Sequence, residues 1–307
     1  MPSASSVPSA NPSHPSSAAV ILAVALVYVV WGSTYLGIKF ALADYPPFLL
    51  GGIRMGLAGV TLFAIMRWRG VALPTRAQWG RLVWLGVLMV LLSNGLVNLA
   101  ETQVSSGIAA VAVASMPLFG GLFAWMRGVK PTALEWLGLI IGFSGVIWLN
   151  IGSDLLATPL GMICLIIASI SWAWGSVWSR DQDLPAPFMS AACQMMTGSA
   201  WMFLAALLTG ERFAGVPSMH ATLAMLYLVV FGSIIAFTAY IWLNQNVRPA
   251  LAHSYAYVNP PIAVMFGVLL AGERITPSEV GAMVVILAGV VIITMAKVFR
   301  PKPATAS

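Results

Sequence analysis

The strongest constraint on this chain is a succession of apolar stretches, each close to the roughly 20 residues a helix needs to cross a bilayer. Ten follow one another, at about 19–39, 47–66, 80–100, 105–126, 133–150, 160–179, 186–208, 221–244, 249–271 and 277–297. The loops between them are too short to hold a second folded domain. Only 8% of the 307 residues are charged and 60% are hydrophobic. A soluble surface carries roughly 25–35% Lys, Arg, Glu and Asp. That excludes an ordinary soluble enzyme, a nucleic-acid partner and a disordered hub. The net charge of +6 comes from 15 Lys and Arg spread thinly along the chain, not from the clustered basic face of a nucleic-acid binder. The expected fold is an all-α polytopic membrane protein with ten transmembrane helices.

Residues 1–17 are rich in Ser, Pro and Ala, lack Lys and Arg, and are expected to form a disordered tail. A cleavable signal peptide needs a positive start and a short apolar core. Neither is present, so the first span is expected to stay as a helix. Cys164 and Cys193 fall inside the sixth and seventh spans and read as small buried apolar residues. No disulfide framework, metal site or cofactor follows from them. Orientation follows from the Lys and Arg near helix ends. With both termini cytoplasmic, Arg67, Arg69, Arg76, Arg81, Arg127, Lys130, Arg180, Arg248, Lys297, Arg300 and Lys302 face inward. Only Arg212 and Arg274 face outward, together with Asp44, Glu101, Asp154, Glu211, Glu273 and Glu279. Residues 298–307 then form a cytoplasmic tail, and the expected location is the bacterial inner membrane.

The two halves of the chain echo each other. Trp31-Gly32-Ser33 returns 143 residues later as Trp174-Gly175-Ser176, Pro117 as Pro260, and Gly138 as Gly281. Pro47-Phe48 and Pro187-Phe188 open the second and seventh spans at an offset of 140. The halves are 19–150 and 160–297, with five spans each. Five is odd, so the second half enters the membrane from the opposite side. Inverted repeats of this kind are an architecture of secondary transporters, whose substrate site lies near the midplane between the halves.

These residues resemble the drug/metabolite transporter superfamily, and within it ten-helix transporters made of two EamA repeats. The resemblance covers about 19–297. It rests on the paired Trp-Gly-Ser segments and on the small-residue runs around Pro117 and Pro260. Gly272-Glu273-Arg274, Gly281 and Ala288-Gly289 add to it. The first repeat departs from the pattern, because Gly128-Val129-Lys130 lacks the glutamate. Among such proteins the chain looks most like YddG-type exporters of aromatic amino acids. The resemblance implies a central cavity lined by helices 1, 3, 4, 6, 8 and 9, with helices 2, 5, 7 and 10 peripheral.

Polar groups inside hydrocarbon usually face a bundle interior or a cavity. Here they fall on the helices of that lining set. The substrate-pathway candidates are Trp31 and Tyr35 on helix 1, Asn94 and Asn98 on helix 3, and Met116 on helix 4. Helix 6 adds Trp172 and Trp174, helix 8 adds Tyr240, and helix 9 adds Tyr255, Tyr257 and Asn259. For the Asn pair, tying helices together is the competing role. For Trp31 and Trp174 it is a structural kink at the Trp-Gly step, with Gly32 and Gly175 as hinges. Pro117, Pro260 and Pro261 remove backbone donors at mid-membrane, and are either hinges beside the site or fixed packing kinks. Lys39 and Arg54 are the Lys and Arg within spans that lie away from the cytoplasmic ends. Arg54 is expected to snorkel outward or pair with Asp44. His253 is the intramembrane side chain that titrates near neutrality, and with Glu101 it is the candidate proton relay. The Gly138, Gly142 and Gly145 face and the Gly52 and Gly56 face permit close helix contact, for packing or for a homodimer in place of a monomer.

The sequence therefore points to a secondary transporter that exports aromatic and other neutral amino acids by alternating access. The alternative is an exporter or facilitator of another small metabolite or drug, such as a purine or a quaternary amine. A cationic cargo would want a mid-membrane carboxylate, which the sequence does not offer. An intramembrane enzyme is disfavoured because no catalytic set assembles: His253 and Ser254 are adjacent and point apart on a helix.

Overall fold

The computed structural model describes residues 16–104, 106–149, 159–271 and 276–296. Gly272-Glu273-Arg274, Asp154, Lys297, Arg300, Lys302 and all but the last two residues of the 1–17 segment lie outside the described residues, as does 298–307. Among the described residues the secondary structure is helical. The helices are α1 (Ser17–Ala41), α2 (Pro47–Trp68), α3 (Arg76–Glu101), α4 (Ser106–Val113 and Met116–Met126) and α5 (Ala133–Leu149). After them come α6 (Pro159–Ser179), α7 (Pro187–Leu208), α8 (Met219–Asn246), α9 (Pro249–His253 and Tyr255–Ala271) and α10 (Pro277–Met295). Eight are long and apolar enough to cross a membrane. The other two are α5, a shorter apolar helix, and α9, which breaks at Ser254.

The ends of these helices are written locally. Gly70, Gly128 and Gly210 adopt positive φ of 77°, 82° and 71°, a conformation glycine takes without a Cβ penalty. Each closes its helix with the paired hydrogen bonds of a Schellman motif. For α2 these run from Val71 N to Met66 O and from Gly70 N to Arg67 O, both 3.0 Å. Reciprocal capping boxes start α3 (Thr75 and Gln78) and α10 (Thr276 and Glu279). Thr132 and Glu135 form another before α5. A distant residue caps α2: the Glu211 carboxylate accepts from Phe48 N and Leu49 N, where the helix dipole favours an anion.

Packing follows a paired scheme. The most extensive contacts are α2 with α7 and α5 with α10. The contact of α1 with α9 is matched by that of α4 with α6, and α3 with α6 by α8 with α1. Glycines set the closest approaches, because a bilayer supplies no hydrophobic drive and packing must come from backbone proximity. A Cβ on Gly289 would lie 2.4 Å from Gly142 N, and one on Gly198 2.2 Å from Val90 Cβ. Gly32 and Gly175 sit in uninterrupted helix and serve the same purpose. A Cβ there would meet Ile262 Cγ2 at 2.6 Å and Met89 Cγ at 2.8 Å, so both are contact points where the sequence suggested kinks. Large apolar side chains such as Leu57, Val60, Leu207 and Val284 point outward.

Charges gather at the two ends of the bundle. At the end carrying Arg76 and Arg248, three acids are each held by an arginine: Glu135 by Arg248, Asp181 by Arg127 and Asp183 by Arg81. At the opposite end Asp44 accepts from Ser218 N at 2.8 Å. The Ser218 hydroxyl and then its backbone N–H hold the Asp44 carboxyl below its usual range. Asp44 is thus engaged with α8.

Candidate functional site

Two elements open the middle of the bundle. Helix α4 breaks at Ala114–Ser115 and restarts with Pro117 in its first turn. Pro260 and Pro261 lie inside the second part of α9. Helices α3 and α8 each carry a π-helical segment, Gly86–Gly95 and Leu228–Phe237. The widened turns of such segments recur at functional sites. In the first, Asn94 Nδ2 donates to Met89 O at 2.8 Å.

Between these irregular stretches lies a small cavity of about 60 Å3. A water needs about 10–15 Å3 of such space, so the cavity has room for a few waters. Helix α1 supplies Trp31, Thr34, Tyr35 and Ile38 to the wall, and α3 supplies Ser93, Asn94 and Val97. Val113 and Met116 come from α4, Trp172 from α6, and Tyr255 and Asn259 from α9. One further wall residue is Arg54 of α2.

Aromatic rings form one side. Trp31 meets Tyr255, Tyr240 and Trp172 at centroid separations of 4.6, 5.2 and 5.4 Å. Trp172 also packs on Tyr240 at 5.0 Å and on Phe237 at 5.8 Å. Each well-oriented aromatic pair adds about 0.5–1.5 kcal/mol beyond burial. Trp31 Nε1 is fixed by Gly232 O at 3.0 Å, and the Tyr255 hydroxyl by Met116 Sδ at 3.1 Å. Two polar atoms among these residues lack a hydrogen-bond partner. Asn259 is 1% exposed, and its Oδ1 makes no hydrogen bond among the described residues. Trp172 Nε1 likewise approaches Tyr240 without a well-formed bond.

Below the cluster, His253 is wholly buried. Its Nδ1 is 2.7 Å from Pro249 O, and its Nε2 is 3.3 Å from the Tyr240 hydroxyl, which donates to Ser176 Oγ at 2.7 Å. Glu101, the other relay candidate, ends α3 fully buried. Its carboxylate oxygens make no hydrogen bond among the described residues, and Lys39 Nζ donates to its backbone carbonyl at 3.2 Å. Neither residue lines the cavity.

The sequence candidates therefore divide. Trp31, Tyr35, Asn94, Met116, Trp172, Tyr255 and Asn259 share the cavity wall, and Tyr240 supports it from behind. Three others serve helix contacts. Asn98 Nδ2 donates to Pro47 O at 3.1 Å, tying α3 to α2. The Tyr257 hydroxyl donates to Leu139 O at 2.9 Å, with its ring over Gly142. Trp174 packs edge-on against Phe123, away from its counterpart Trp31. Arg54 reverses the expectation made for it. It is 3% exposed, points inward, and donates from Nε to Ser233 Oγ at 2.8 Å. Its position on a helix expected to be peripheral hid that role, and its seven-residue distance from the start of α2 was the available signal.

Comparison with known proteins agrees with this architecture. The EamA-like transporter family matches twice, over residues 18–151 and 159–295. The chain is 43% identical over 282 residues to the "Uncharacterized inner membrane transporter YedA" of Escherichia coli (strain K12), covering 91% of this chain and 92% of that protein. It is 24% identical over 282 residues to the "Uncharacterized transporter YoaV" of Bacillus subtilis (strain 168), covering 88% and 95%. A crystal structure with 19% identity shares the fold at a TM-score of 0.74, covering 91% of this chain and 98% of its own. The chain belongs to the EamA-like transporter family and is a multi-pass inner-membrane transporter.

Proposed function

We propose that the chain is a ten-span secondary transporter of two inverted five-helix repeats, with both termini cytoplasmic, and that it exports aromatic and other neutral amino acids. The observation that carries this reading is the cavity itself. The wall brings the rings of Trp31, Trp172 and Tyr255 together with Asn259, whose amide oxygen makes no hydrogen bond among the described residues. Rings of that kind stack on an aromatic side chain, and an amide oxygen accepts from an ammonium. No acidic residue is in the described wall, which disfavours a cationic drug. The paired helix contacts and the twofold family match support the repeats. The basic end supports the orientation. The YddG-type resemblance supports the direction.

At about 60 Å3 the cavity is too small for an amino acid, so transport requires the walls to part. Two related halves exchanging conformations would open the site to one side at a time. The test is counterflow of labelled phenylalanine in proteoliposomes, challenged by other amino acids, purines and quaternary amines, with and without a pH gradient. Competition by neutral amino acids is expected. Trp172→Ala and Asn259→Ala are expected to lower transport at least about tenfold at unchanged folded yield, because each removes a group in the wall. Competition by purines or amines alone, or full activity in both variants, would overturn the assignment.

A further inference from the structure

Two other arginines that reach into the bundle bind neighbours through their terminal nitrogens. Arg248 donates from Nε and Nη2 to the Glu135 carboxylate and from Nη2 to Lys130 O. Arg180 reaches the Asn244 side chain and Val247 O through its two terminal nitrogens. Arg54 differs. Only Nε is engaged, by Ser233 Oγ, and its terminal nitrogens make no hydrogen bond among the described residues. No carboxylate lies within ion-pair distance of it there. Glu101 acts on Arg54 through space without pairing to it.

The fold nevertheless makes room for this group. Gly232 lies in the π-helical segment of α8, and a Cβ there would stand 3.0 Å from Arg54 Nη2. Trp31 Nε1 binds the same residue's carbonyl, so the guanidinium and the aromatic cluster are set on one backbone turn. A guanidinium taken out of water and left short of partners is costly. Its fork of donors matches the two oxygens of a carboxylate.

We infer that Arg54 is the carboxylate-binding residue of the central cavity, and that the cargo must carry a carboxylate. In an amino acid the carboxylate would lie on Arg54, the ammonium would face Asn259 Oδ1, and the side chain would lie against the rings of Trp31 and Trp172. This rests on the transporter reading above and narrows its cargo. It builds the site around a fixed positive charge.

The test uses the purified full-length protein, with quenching of intrinsic tryptophan fluorescence as the binding readout. The probes are L-phenylalanine, L-phenylalaninamide, 3-phenylpropionate and indole-3-acetate. The wild type is expected to bind the carboxylates about tenfold or more tightly than the amide, the order expected of a charge-assisted contact. Arg54→Lys is expected to keep that order with weaker binding, and Arg54→Gln to abolish the preference. Equal binding of amide and carboxylate by the wild type would overturn the inference. So would a folded Arg54→Gln protein that still prefers carboxylates, or the failure of every carboxylate to bind. If Arg54→Gln does not fold, the wild-type panel and Arg54→Lys decide. Arg54-dependent binding of the acids that lack an amino group, with no response to phenylalanine, would overturn the amino-acid reading and leave the role of Arg54 standing. Phenylalanine transport that ignores Arg54 would do the reverse.

Discussion

Single residues divide into those that hold the bundle and those that face the cavity. Glu135 belongs to the first group. It closes the capping box of α5 and, with only 2% of its side chain exposed, pairs with Arg248, the residue before α9. Removing one partner of a buried pair leaves the other uncompensated. Glu135→Gln is therefore expected to destabilise the protein by about 3 kcal/mol, near the lower end for such losses because the pair sits at a helix end where some hydration remains. Thermal unfolding in detergent measures it; an unchanged midpoint would contradict this assignment. Sequence spacing does not reveal this pair, since 113 residues separate its members. Arg54 was misread for a related reason. Long cationic side chains near helix ends commonly snorkel, and only three-dimensional placement shows that Ser233 and Gly232 draw this one inward. The aromatic and amide residues were more legible. Trp31, Trp172, Tyr255 and Asn259 are polar or amphipathic groups inside apolar spans, and such groups turn inward.

At the level of helices, apolar length and terminal residues carried most of the information. The spans read from hydropathy fall within a few residues of the observed helices, because Pro47, Pro187 and Pro277 start them and Gly70, Gly128 and Gly210 end them. The π-helical segments of α3 and α8 were not legible. Nothing in GVLMVLLSNG or LVVFGSIIAF departs from an ordinary apolar helix. Glycine placement gives a sharp test of helix packing. Gly289→Ala would push a Cβ to within 2.4 Å of the Gly142 backbone. It is expected to force α5 and α10 apart at about 1–3 kcal/mol, the usual penalty of overpacking. Gly80 is an exposed position in α3 with open space around it. Gly80→Ala is expected to stabilise by about 0.5–1 kcal/mol through helix propensity. Unfolding midpoints that shift in opposite directions would support the contact; equal shifts would refute it.

For the whole molecule, the scarcity of charge gave the solvent, and the repeated Trp-Gly-Ser and proline positions pointed to two related halves. The asymmetry between those halves was hidden. Trp31 lies in the cavity wall whereas Trp174 packs outside it, on Phe123; α1 gives the wall Trp31, Thr34, Tyr35 and Ile38, and α6 gives it Trp172 alone. Cys164 and Cys193 are buried within helices, so a cysteine-free background made with Cys164→Ala and Cys193→Ala permits a direct test of the central claim, that this cavity is the transport site and opens to each side in turn. Val97→Cys, at a wall position with no assigned cargo contact, is made in that background and treated, in sealed right-side-out and inside-out vesicles, with a membrane-impermeant thiol reagent. Labelling from both sides, slowed by phenylalanine, is the predicted result. Labelling from one side only, or from neither, would contradict it.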